Sequence, residues 1–152
     1  MHVRFCLAWI RGDRLKSQSF KLDGARAIFG EYVKRISKFA PCSVAGLQSL
    51  GSAAKTGSKI WVCERNLGAK ELSSEEVAQN FKGLLDSGAR QLSVVIGGSD
   101  GFSKEELDKM KPALRWSFGP ITLPHELAAV IASEQIYRAW TILHRMPYHS
   151  GH

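Results

Sequence analysis

Leu92-Ser93-Val94-Val95-Ile96-Gly97-Gly98-Ser99-Asp100-Gly101 is the stretch that decides how this chain folds. Four of its first five residues are aliphatic and three of those are β-branched, the composition of a strand covered on both faces. Three glycines in the next five positions let the backbone turn sharply and let a flat ligand approach its amides. The turn lacks the Lys and Ser/Thr of a phosphate loop, and its spacing is not that of the dinucleotide fingerprint. Taken alone it favours a plain tight turn over a ligand site, because glycine is the default residue of such turns.

The pattern repeats outward from this strand. Downstream, Ser103 and Glu106 have the spacing of a capping box with Phe102 and Leu107 as its apolar staple, and Pro112 ends a short helix. Leu114 to Phe118 is a further strand candidate. A long helix follows Pro124 to about Arg145, with Pro124 at its first position and Leu123 as a cap without a side-chain oxygen. Two apolar sides of that helix, Leu127, Val130 and Ile131, then Ile136, Trp140 and Leu143, imply burial against a sheet and a second subunit.

Upstream, Ser73 and Glu76 repeat the capping box with Leu72 and Val77 as staple, opening a helix that stops near Gly88. Ile60-Trp61-Val62-Cys63 reads as a strand. Residues 3–10 read as another, and a helix with Ile28, Phe29, Tyr32, Val33, Ile36 and Phe39 on its apolar side runs from Asp23 towards Pro41. Ser43 to Leu47 is a short strand candidate, and Gly51 to Ser58 a flexible linker. Strands and helices in alternation predict one α/β domain over residues 1–152 with a mostly parallel sheet. Ligands of such sheets gather beyond the carboxyl ends of the strands. That rim gathers Cys63 to Arg65, Gly97 to Gly101 and Phe118 to Leu123.

Composition narrows the class. The 152 residues are 44% hydrophobic and 23% charged, with no apolar run long enough to span a bilayer. The start of the chain reads as a strand rather than a signal peptide, so a cytoplasmic protein is expected. Cys6, Cys42 and Cys63 are widely spaced and odd in number, which argues for reduced thiols and against a disulfide framework or a metal site. The net charge of +7 is unevenly placed: residues 1–70 carry 13 basic and 4 acidic residues, residues 71–152 carry 8 and 10. A basic half points to one face that meets a polyanion such as RNA, or to a solvated surface.

Four segments together are similar to the RlmH family of SPOUT-type RNA methyltransferases. They are Val95 to Gly101, Ile121-Thr122-Leu123-Pro124-His125, Glu134-Gln135-Ile136-Tyr137-Arg138-Ala139-Trp140 and Pro147-Tyr148-His149; Gly68 to Val77 also resembles that family. The resemblance implies a SPOUT α/β fold with a C-terminal trefoil knot, which physics alone would not suggest because knots are nearly absent from proteins. It implies S-adenosyl-L-methionine as cofactor, and a homodimer with its site at the subunit interface. The implied reaction is methyl transfer to ring nitrogen N3 of a pseudouridine in 23S-type large-subunit ribosomal RNA, within the assembled ribosome.

By the same resemblance the cofactor meets Cys63, Gly97, Phe118, Gly119, Pro120, Ile121, Thr122 and Leu123. His149 is the candidate base or positioner, Tyr148 its hydrogen-bond partner, and Arg138, held by Glu134, the stabiliser of the deprotonated ring. The chain departs from the family at several points. Residues 40–59 are shorter, the first strand ends in Ala8-Trp9-Ile10, Cys63 replaces leucine, and Ser150 replaces a basic residue. Two other readings stay open: an RNA- or ribosome-binding protein with weak turnover, and a methyltransferase of another RNA such as transfer RNA.

Overall fold

The structure, a computed structural model, describes residues 1–16, 18–52, 57–66 and 68–150. Six strands form one sheet: β1 (His2–Leu7), β2 (Cys42–Ala45), β3 (Ser58–Cys63), β4 (Lys70–Glu71), β5 (Gln91–Ile96) and β6 (Leu114–Ser117). Their order is β2-β1-β5-β3-β6-β4, and every pairing is parallel. Among the described residues three α-helices lie between strands, α1 (Asp23–Ile36), α2 (Ser74–Asp86) and α3 (Lys104–Met110), and α4 (His125–Leu143) follows the last strand.

The alternation of strand side chains explains the layers. Val3, Phe5 and Leu7, Trp61 and Cys63, and Leu92, Val94 and Ile96 point to one face, where they join Phe29 of α1, Phe81 of α2 and Ile136 of α4 in the main core. The intervening Cys6, Val62 and Val95 point the other way and meet Leu107 of α3. Both faces are therefore covered, as a parallel sheet requires. Among the described residues no helix is long and apolar enough to cross a membrane.

Both capping boxes form: the Ser73 and Ser103 hydroxyls accept from the amides of Glu76 and Glu106, whose carboxylates accept in return from the cap amides. Several boundaries differ from expectation. The first strand stops at Leu7, because residues 8–10 turn back through a bond from the Ile10 amide to the Leu7 carbonyl. Leu47 to Ser52 form a 3-10 turn, so the second strand ends at Ala45 and Gly51 is not linker. Residues 53–56 of the expected linker lie outside the described residues, and Ser58 already belongs to β3. Pro124 caps α4 rather than opening it, and α4 ends at Leu143.

The buried side of α4 differs in part: Ile136 and Trp140 are buried as expected, but the side with Leu127, Val130 and Ile131 is not. Ala129, Ala132, Ser133, Ile136 and Ala139 face the core, while Leu127 is 39% exposed. Small side chains let this helix lie close against the sheet between α1 and α2, with Ile136 and Trp140 buried and Leu127, Val130 and Ile131 left towards the periphery.

Candidate active site

The carboxyl ends of β3, β5 and β6 open onto a cavity of about 590 Å³, within the range of small-molecule sites. Cys63 to Asn66, Gly97 to Phe102, Phe118, Gly119 and Ile121 to Leu123 supply most of its wall, and His125 and Ala128 close it from α4. Of the eight residues assigned to a cofactor by resemblance, seven line it. Pro120 does not, and its side chain faces solvent.

The wall has two chemistries. Phe118, Ile121 and Leu123 offer apolar surface, while the turn at Gly97 to Gly101 and the start of α4 offer backbone. No side chain caps α4, so its first amides stay free at the positive end of the helix. Gly119 has φ +100°, and a Cβ built there or at Gly98 would meet nothing within 4 Å. Gly97 is different: its Cβ would press on Phe102 and on the backbone of Gly101, so this glycine keeps the turn tight. Burial pushes the Cys63 thiol far up, making it an apolar wall element rather than a nucleophile.

His125 is held by two contacts the sequence did not advertise. Trp9 packs edge-on against its ring at 4.5 Å between centroids, and the Glu126 carboxylate lies 3.8 Å from Nε2. Glu126 itself is buried and accepts hydrogen bonds from the amides of Lys21 and Leu22, both at 2.9 Å. That carboxylate ties the entrance of α1 to the rim of the cavity.

The other candidate residues form a second cluster on the outer side of α4. Glu134 Oε1 accepts from Arg138 Nε at 2.9 Å, Arg138 Nη2 at 2.7 Å and the Tyr148 hydroxyl at 3.1 Å. Its Oε2 accepts from Gln135, which in turn accepts from Ser74. The Arg138 guanidinium also lies over the Tyr148 ring at 4.8 Å. Burial first, then the Tyr32 hydroxyl and the Glu134 charge, push the Tyr148 phenol well up. It is a proton donor here and not a base.

His149 is bracketed. Arg138 Nη1 lies 3.0 Å from Nδ1, and Glu75 Oε1 lies 2.8 Å from Nε2. A guanidinium only donates, so Nδ1 accepts, and the ring proton on Nε2 goes to Glu75. The hydrogen bond from His149, followed by that from its own backbone amide, holds the Glu75 carboxyl below the usual range. Sequence reasoning missed Glu75 and Tyr32, which reach the tail only through the fold.

The two clusters do not meet within one chain. Ala128 is the last α4 residue on the cavity, whereas Glu134 and Arg138 lie six and ten positions on, roughly 9 and 15 Å along a helix. Among the described residues no group of three or more His, Cys, Asp or Glu side chains is placed to hold a metal.

An all-parallel α/β sheet with a small-molecule cavity at its carboxyl rim defines a class, and comparison with known proteins places the chain within it. Residues 15–149 match the family described as "Predicted SPOUT methyltransferase". The ribosomal RNA large subunit methyltransferase H of Koribacter versatilis (strain Ellin345) is 39% identical over 139 residues, 87% of this chain and 92% of that protein. The protein of the same name from Limosilactobacillus reuteri (strain DSM 20016) is 35% identical over 156 residues, 90% of this chain and 94% of that protein. The crystal structure of a "Probable Methyltransferase" from Bordetella pertussis Tohama I shares the fold with a TM-score of 0.55 at 12% identity, over 90% of this chain and 95% of that one. The chain belongs to the SPOUT methyltransferase family, in the branch of the ribosomal RNA large subunit methyltransferases H.

Proposed function

We propose that this chain is an S-adenosyl-L-methionine-dependent methyltransferase that modifies N3 of a pseudouridine in large-subunit ribosomal RNA, on the assembled ribosome in the cytoplasm. Its place in the family supports the reaction class, and the names of its relatives support the RNA. The observation that carries the reading to residues is the rim cavity: uncapped helix amides, a glycine turn and three apolar side chains fit a ligand with polar ends and a flat ring. The cofactor supplies an electrophilic methyl group there, in a C-terminal trefoil knot formed by the segments around Gly97 to Gly101 and Phe118 to Leu123.

The chain's own residues do the rest. Ring nitrogen N3 must lose a proton, and the anion left behind needs a cation at hand. Arg138, fixed by Glu134, is that cation, and Tyr148 donates a positioning hydrogen bond. His149 becomes a base at Nδ1 once the target ring displaces the Arg138 contact. Holding acceptor and methyl group in line supplies much of the acceleration.

The separation of the two clusters supports a homodimer. In that assembly the tail cluster of one subunit faces the cavity of the other. Leu22 and Ile28, at the cap and on the body of α1, with Ile121 and Leu127 on either side of the start of α4, are large exposed apolar residues that fit such an interface.

Labelled methyl transfer to large subunits lacking this modification tests the reading. Incorporation at one pseudouridine is expected. A folded, cofactor-binding protein that transfers nothing to any large subunit would leave only a binding role.

A further inference from the structure

A second concavity, of about 540 Å³, lies between the carboxyl-terminal ends of α1 and α4, away from the rim cavity. Lys34, Arg35 and Lys38 line it with Glu31, Phe39, Tyr137 and Met146. Glu31 is its one carboxylate, and it is committed to Arg35 at 3.0 Å. Arg35 in turn lies 5.6 Å from the ring centroids of both Tyr32 and Tyr137. Lys34 and Lys38, one turn apart and solvent-exposed, have no ion-pair partner among the described residues.

We infer that this groove is a track for the phosphate backbone of the RNA substrate, leading to the catalytic tail. Three observations carry it. The groove is a concave concentration of the cations that make the first half of the chain basic, where a merely solvated helix face would be convex and balanced by acids. It is continuous with the tail: Tyr137 on its wall packs against the Tyr148 ring at 4.8 Å, and the Tyr32 hydroxyl lies 3.3 Å from that of Tyr148. Its two rings already have partners, Phe39 stacked on Trp140 at 5.5 Å and Tyr137 beside Arg35 at 5.6 Å. Three cations stand against one carboxylate that is itself committed to Arg35, so backbone charge is what the groove recognises best. Of the exposed apolar residues assigned to the dimer, Leu22 sits at the amino-terminal end of α1, and Ile121 and Leu127 flank that of α4, away from the groove.

The inference rests on RNA being the substrate, and the test separates the two. Affinity of the full chain for protein-free large-subunit RNA, and for intact large subunits, is measured against potassium chloride concentration. The pair Lys34→Gln/Lys38→Gln is compared with Lys104→Gln/Lys109→Gln on α3, which removes the same charge elsewhere. Loss of two phosphate contacts flattens the slope of log affinity against log salt by about 1 to 2. The groove pair is expected to show that change on both ligands, with KM for large subunits raised roughly tenfold while kcat and cofactor affinity hold. An unchanged slope, or an equal change in the α3 pair, overturns the track. So does an effect confined to intact subunits, which points to a ribosomal protein instead. A wild-type chain that never methylates large subunits sinks the functional reading, while the slopes still decide the groove.

Discussion

Arg138 donates a hydrogen bond from Nη1 to Nδ1 of His149 at 3.0 Å, and this contact occupies the lone pair the imidazole needs to act as a base. The same arginine is held by Glu134 through Nε and Nη2. One side chain therefore positions the tail and carries the charge proposed to stabilise the substrate anion. Arg138→Lys keeps the charge but loses the two-point grip on Glu134. Its kcat is expected to fall by about 10²-fold, the scale of a small misplacement, with cofactor affinity unchanged. Single-turnover methyl transfer beside calorimetric cofactor binding checks this, and an equal loss in both would place Arg138 at the cofactor instead.

The Tyr148 phenol, pushed up from its ordinary value of 10.0, keeps its proton throughout the working range. Its expected contribution is a hydrogen bond, worth about 0.5–1.5 kcal/mol in net terms. Tyr148→Phe should therefore slow methyl transfer by up to roughly tenfold. The alkaline side of the pH–rate profile should stay where it is in the wild type. A Tyr148→Phe enzyme whose alkaline limb moves would show that the phenol titrates in catalysis.

Tail docking depends on pH through Glu75. Its carboxyl is held below the ordinary value of 4.5 by His149 and by its own backbone amide, so the docked state favours the ionised form. A lowered value means the contribution is complete above the ordinary carboxylate range and is lost as pH falls through the docked value. The His149 ring signals followed by NMR below pH 5 should report undocking, and Glu75→Gln should remove that step. Identical profiles for the two proteins would mean that the contact does not hold the tail.

Glu126 is a structural prediction. Its buried carboxylate accepts from the amides of Lys21 and Leu22, so Glu126→Ala strands two donors. Loss of about 2–4 kcal/mol in chemical denaturation is expected, with Glu126→Gln recovering part of it. A Glu126→Ala protein as stable as the wild type would contradict the role given to this tie.

Much of the fold could be read from local signals. Both capping boxes and β5 with its glycine turn need only near neighbours, and the rim location follows from strand ends in a parallel sheet. The strand order could not be read, because β5 pairs with β1 and β3 across long stretches of chain. β4 escaped notice because its two residues, Lys70 and Glu71, are exposed and carry no apolar pattern. On α4 one expected apolar side, with Ile136 and Trp140, is buried, while the other, with Leu127, Val130 and Ile131, gives way to Ala129, Ala132 and Ala139. In the site, Glu134 and Arg138 are one turn apart and were legible as a pair. Glu75 meets His149 across 74 residues and Trp9 meets His125 across most of the chain, so no local spacing could announce either.

The central claim is that cavity and tail cooperate between subunits, and mixed dimers test it most directly. Gly119→Val fills the cavity at a position whose φ of +100° suits no branched side chain, and Arg138→Ala disables the tail. Each variant alone should leave large subunits unmethylated by labelled S-adenosyl-L-methionine. Co-expressed in equal amounts, half the dimers carry one intact pairing, and about one quarter of the wild-type rate at the single pseudouridine is expected for a two-fold dimer. A mixture as inactive as its parents, with subunit exchange verified, would contradict the account.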